Sequence, residues 1–98
     1  MEAFAGFDWD DANRSKCQKH GVPIAEIEAV FQGSFRLAPD TKHSATEDRF
    51  IAIGRPGTGR PLFVAFTIRV KGRQRFIRPI SARYMHAKEI QSYETQNP

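Results

Sequence analysis

The stretch LFVAFTIRV, residues 62 to 70, is almost continuously apolar and is closed on both sides by turn residues. GRPGTGRP precedes it and Lys71-Gly72 follows it. A run of this length between such turns reads as a central strand buried on both faces. The tight connections also dictate its neighbours. RFIAIG before the Gly/Pro turn and RQRFIRPIS after Lys71-Gly72 must run antiparallel to it. Pro79 cannot donate to a ladder, so an edge or a bulge is expected there. SFRLAPD, ended by Pro39-Asp40, supplies one more short strand.

The first third of the chain has a different period. A short apolar strand through Phe7 and Trp9 leads to Asp10, an N-cap residue for a polar helix. That helix is predicted to end with Lys19, His20 and Gly21, an ending that suits the helix dipole and a left-handed C′ residue. Pro23 then takes a first-turn position, and Ile24, Ile27, Val30 and Phe31 recur at helical spacing until Gly33. ARYMHAKEIQSYETQ closes the chain as a weakly amphipathic helix through Met85, Ile90 and Tyr93. The order β-α-α-β-β-β-β-α, without repeats, predicts an α+β fold: helices packed against one antiparallel β-sheet. A length of 98 residues gives one domain, 1–98, with frayed ends at 1–5 and 95–98.

Charge is unevenly spread. Residues 1 to 30 hold three basic and six acidic groups, whereas residues 51 to 83 hold eight basic groups and no acid. Seven of those eight are Arg, whose planar fork suits phosphate better than the point charge of Lys. RNA, DNA or an acidic protein is the implied partner, against the plainer reading of a solvated basic face. The single cysteine, Cys17, excludes an internal disulfide and a cysteine-cluster zinc site, and points to a reducing cytoplasm. Cys17 and His20 are spaced for one helix face but lack a second ligand pair, so no metal and no cofactor are expected. No run approaches a membrane helix, and the acidic start MEAFAGFDWDD lacks the basic opening of a signal peptide.

Three blocks, FDWDDANRSKCQKHGV, HSATEDRFIAIGR and ISARYMHAKEIQSYE, follow one another with the order and spacing of the BrnT toxins, which the chain resembles from about Phe7 to Glu94. The resemblance implies the toxin of a bacterial type II toxin–antitoxin pair, with a RelE-like fold and ribonuclease activity that inhibits translation and growth. It implies neutralisation by a BrnA-like antitoxin carrying a ribbon-helix-helix DNA-binding domain. DNA would then be met only through the antitoxin complex, and a dimer of toxin–antitoxin units is compatible. The RPGTGRP hairpin is richer in Pro than the family pattern, which bears on rigidity or RNA preference.

Metal-independent RNA cleavage needs a base for the 2′-OH, cations around the crowded phosphorane and an acid for the departing 5′-oxygen. On this reading Glu47 or His43 is the base, and Arg49, Arg55 and Arg83 surround the phosphate. Lys19 and His20 serve as charge stabiliser and proton donor. Arg69, Arg73, Arg75 and Arg78 bind RNA. Each has a plainer alternative: His43 a loop bystander, Glu47 an ion-pair partner of Arg49, Lys19 and His20 favourable charges beside a helix end. The competing function is a non-enzymatic module that grips nucleic acid or an acidic protein with the Arg-rich sheet. Diffuse charge dependence would mark that module, and sharp loss at Arg83 or Glu47 the nuclease.

Overall fold

The computed structural model describes residues 4–41 and 48–96. Its elements are β1 (Gly6–Phe7), α1 (Asp11–Cys17), α2 (Ile24–Gln32), β2 (Phe35–Pro39), β3 (Phe50–Gly54), β4 (Leu62–Lys71), β5 (Gln74–Tyr84) and α3 (Ala87–Gln96). The five strands form one sheet in the order β1-β5-β4-β3-β2, so the apolar run is central as its composition implies. The chain is α+β, but the sheet is mixed rather than antiparallel throughout. β1 pairs parallel to β5 through Gly6↔Phe76 and Phe7↔Ile77. No tight turn joins these two strands, so nothing local imposes an antiparallel sense on them.

β4 departs from the expected double burial. Leu62, Val64 and Phe66 are buried on one face, while Phe63 and Ala65 on the other are only half-buried. Arg69, Val70 and Lys71 project into solvent at its far end. The asymmetry follows from helix placement. α2 buries Ile27, Val30 and Phe31 in one core with Ala52, Leu62, Val64 and Phe66. Phe31 anchors that core edge-on, with ring centroids 5.8 Å from Phe7, 5.3 Å from Phe35 and 5.0 Å from Phe66. Residues pointing to the opposite face, here called the outer face, are less covered, Thr67 excepted.

Asp10 caps α1 reciprocally with Asn13: each side chain accepts the other residue's backbone N–H. The helix ends at Cys17, three residues short of the predicted His20, and Lys19 and His20 fall in the turn to Gly21. Gly21 has φ +83, the left-handed conformation expected of it. Trp9 lies beyond β1 rather than in it, packs against the core and donates its indole N–H to Glu28 Oε2 at 2.9 Å.

β5 bulges at Pro79, as the missing donor implies. Its pairing steps from Ala65↔Ser81 to Phe66↔Pro79 and leaves Ile80 as the extra residue. The predicted final helix is shorter than its sequence block. Ala82, Arg83 and Tyr84 stay in β5, held by a ladder that runs to Leu62↔Tyr84, and the helix starts at Ala87. Among the described residues no helix is long and apolar enough to cross a membrane.

Candidate active site

Strand register places two rows of residues side by side across the outer face. One row is Arg36, Ile53, Phe63 and Arg83; the next is Ala38, Ile51, Ala65 and Ser81. Tyr93 of α3 helps form a groove with Arg36, Ile53 and Phe63 of the first row. The second row is made mostly of small side chains, so the surface sinks between its taller neighbours. A cleft of ≈ 530 Å³ opens there, with Ile51, Ala65 and Ser81 on its floor and Phe63 and Arg83 beside them. His20, from the turn after α1, and Asp40, just past β2, complete its lining.

Arg83 is held on three sides. Its guanidinium lies 4.7 Å over the Phe63 ring, Nη1 and Nη2 each donate to a Glu89 carboxylate oxygen at 2.9 Å, and Nη1 reaches the Tyr84 carbonyl at 3.3 Å. Glu89 also accepts the His86 backbone N–H at 2.8 Å, so it ties the start of α3 to the cleft wall. The Arg83 bonds, followed by the His86 N–H, pull the Glu89 carboxyl down to about 2, and the same pairing raises the Arg83 pKa. An arginine bound end-on through both Nη groups keeps its Nε/Nη2 edge for a second acceptor. Glu89 thus fixes the cation and leaves it a fork to offer.

A second cavity of ≈ 210 Å³ lies against the same outer face, lined by Asn13 and Lys16 of α1 and by Arg49, Arg69 and Arg78. Arg78 is seated by Asp10 at 2.9 Å and Asp8 at 3.4 Å. Of the residues expected at a site, His20 and Arg83 therefore meet at the cleft, and Arg49, Arg69 and Arg78 meet beside it. The structure does not bring Arg55, Arg73, Arg75 or Lys19 to either place. Arg55 pairs with Glu94 at 3.3 Å and stacks 5.6 Å over Tyr93, so it braces α3. Arg73 is at the β4–β5 turn, and Arg75 lies 5.5 Å over Phe4 beside the apolar residues of the core face. Lys19 is exposed on its turn. His43 and Glu47 lie outside the described residues.

Asp40, Ser81, Phe63, Lys16 and Glu89 escape sequence reasoning. None is marked by spacing: strand register, the seat of α1 on the sheet and the α3 cap assemble them. Cys17 is fully buried, and burial pushes its thiol up to about 11, so it is neither nucleophile nor ligand in this state. Among the described residues no three His, Cys, Asp or Glu side chains are grouped to hold a metal ion.

A family model described as a ribonuclease toxin, BrnT, of type II toxin-antitoxin system matches residues 9–89, a span that holds every described residue of both cavities. No curated protein matches the chain.

Proposed function

The chain belongs to the BrnT family, ribonuclease toxins of type II toxin–antitoxin systems, and from that premise we propose that the outer-face cleft is a metal-independent endoribonuclease site. Arg83 carries this reading: it is a pre-oriented guanidinium whose remaining fork can meet a phosphate in the cleft. In the reaction the ribose 2′-oxygen bonds to phosphorus, the bond from phosphorus to the 5′-oxygen breaks, and a 2′,3′-cyclic phosphate remains. A base takes the 2′-OH proton and an acid returns one to the 5′-oxygen.

Arg83 would balance the charge that grows on the non-bridging oxygens, in a place where it needs no reorganisation. His20 would be the proton donor, since it is the histidine among the described residues that lines the cleft, reaching it from a turn. Glu47 or His43 would be the base. Their segment follows Asp40, a cleft residue, and precedes Arg49, which lines the neighbouring cavity. We assign Arg49, Arg69 and Arg78 to the RNA backbone. Arg55 would act through α3, while Lys19, Arg73 and Arg75 would contribute only long-range attraction.

The family gives the chain an antitoxin protein as partner. We take it to be BrnA-like, with a ribbon-helix-helix domain that supplies all DNA contact, and to silence the toxin in the cytoplasm by covering the basic outer face. Unchecked, cleavage of RNA would inhibit translation and growth.

The test is incubation of the purified protein with total RNA in EDTA, beside an Arg83→Ala variant of matched stability. Cleavage by the wild type alone, leaving cyclic phosphate ends, is expected. Intact RNA in both reactions, with salt-sensitive binding retained, would overturn the nuclease reading in favour of a binding module.

A further inference from the structure

We propose that the groove between α3 and the outer sheet face is a nucleobase subsite, which holds one unstacked RNA base beside the scissile phosphate. The proposal rests on the ribonuclease reading above and adds a substrate requirement to it: a base, and not only a phosphodiester, on one side of the bond being cut. Ile53 and Phe63 line the groove from the sheet, Tyr93 from α3 and Arg36 from β2, around a space of ≈ 180 Å³. A site for a drug-sized molecule takes about 300–1,000 Å³, so this one suits a single ring system.

Both surfaces of a base are matched there. Aromatic rings and guanidinium planes are the side-chain surfaces on which unstacked bases settle. Phe63 and Tyr93 supply rings from opposite sources, sheet and helix, and Arg36 supplies a guanidinium. Arg36 and Arg55 stand 5.9 Å and 5.6 Å over the Tyr93 ring and hold it in place. The polar edge of a base would meet α3. Glu89, Ser92 and Gln96 line the groove, and their spacings of three and four put them in one row along the helix. Arg36 Nη1 donates to Gln96 Oε1 at 2.7 Å, and an amide engaged through its oxygen offers its NH₂ as donor. The Ser92 hydroxyl can donate or accept. A slot without such a row would strand the polar atoms of the base.

Register makes the groove and the cleft neighbours. Arg36, Ile53, Phe63 and Arg83 are successive cross-strand partners, and adjacent strands lie only ~4.8 Å apart. Phe63 accordingly lines both spaces, and the Arg83 guanidinium lies 4.7 Å over its ring. Glu89 repeats the link from the helix side: it lines the groove and accepts from both Arg83 Nη groups at 2.9 Å. A phosphate on the remaining fork of Arg83 and an adjoining base in the groove are thus within the span of one nucleotide.

The test uses an oligonucleotide that is 2′-deoxy except at one ribose, built on a site the wild type cuts in total RNA, so that a single bond can be cleaved. The base on either side of that bond is then removed in turn, leaving an abasic sugar. In the wild type kcat/KM should fall about tenfold for one of the two abasic substrates, the scale of a single base stack. Tyr93→Leu takes a ring from the groove, and Ser92→Leu fills it from an exposed position of a helix that Leu favours. Both should lose the difference between intact and abasic substrates, while Lys88→Ala, an exposed cation on α3, should keep it. An uncleavable all-2′-deoxy strand carrying 5-iodouracil maps the groove without cleavage: irradiation should attach it to Tyr93 or Phe63. Equal rates for intact and abasic substrates in the wild type would overturn the subsite. So would a difference retained in both Leu variants, or attachment only outside the groove. No cleavage by the wild type would overturn the nuclease reading, and the photo-attachment would still decide the groove.

Discussion

Arg83 and Glu89 meet through two parallel hydrogen bonds of 2.9 Å, so the cation beside the cleft is oriented chiefly by a residue of α3. Glu89→Gln keeps the shape but has one acceptor where two are used, and its amide would face an Nη group. Arg83 should then swing, and a misplacement near 1 Å costs on the order of 100-fold. Steady-state cleavage of an oligoribonucleotide should show kcat falling at least tenfold on that scale, with a smaller change in KM. On the nuclease reading Glu89 acts as a positioning residue, and Arg83→Lys should lose activity as well, because an ammonium cannot serve Glu89 and a phosphate as a fork does.

The same pair makes stability depend on pH in a defined window. The Glu89 carboxyl falls from 4.5 to about 2 on folding, chiefly through its bonds from Arg83. A group with a depressed folded pKa contributes stability that is fully present above the unfolded value and is lost as pH falls through the folded one. Between about pH 5 and pH 2 the wild type should therefore lose urea resistance more steeply than Glu89→Gln. Parallel slopes for the two proteins would show that the pair contributes nothing to folding.

Asn13→Ala should destabilise the fold by about 1–3 kcal/mol, the usual cost of leaving a buried polar group unpaired. Its amide satisfies the carbonyls of Asp8 and Pro79, and its Oδ1 accepts the Asp10 N–H at 2.7 Å. The Pro79 carbonyl sits at the bulge, where the ladder is interrupted. Urea unfolding measures the loss, and it should exceed that of the exposed variant Arg14→Ala.

How much of this could be read beforehand depends on range. The Asp10 cap, the buried face Ile27–Val30–Phe31, the Gly21 turn and the Pro79 bulge each follow from chemistry within a few residues, and all are present. The parallel seat of β1 beside β5 has no local cause. Nor has the extension of β5 through Ala82–Tyr84, where a helix-like sequence is overruled by its ladder with β4. The site divides the same way. Arg83 and His20 stand out as polar groups in marked blocks, whereas Ser81 and Asp40 join the cleft only because register and strand order bring them there.

Gly54→Ala should cost about 1–3 kcal/mol, as overpacked core sites do. An added Cβ would stand 3.1 Å from Phe35 Cβ, 3.3 Å from the Ser34 carbonyl oxygen and 3.4 Å from Val30 Cγ1. Two of these contacts belong to β2 and its approach, and the third to α2, so relief requires both to shift from β3. The reduced melting temperature should come with higher amide exchange in β2. Wild-type exchange there would show that the strand absorbs the methyl group.

Cys17 reports on opening of the α1 layer. Burial pushes its thiol from 9.0 up to about 11, and the side chain has no solvent exposure. The thiolate is the reactive form, so at pH 8 labelling of the folded protein should be slow for two reasons that reinforce each other, scarcity of thiolate and lack of access. In urea the pKa returns to its ordinary value and labelling should become fast. Asn13→Ala, which loosens α1 from β5, should accelerate native-state labelling, whereas Glu89→Gln, which acts on α3, should leave it unchanged. Fast labelling of the wild type under native conditions would contradict the seat of Cys17 in this core.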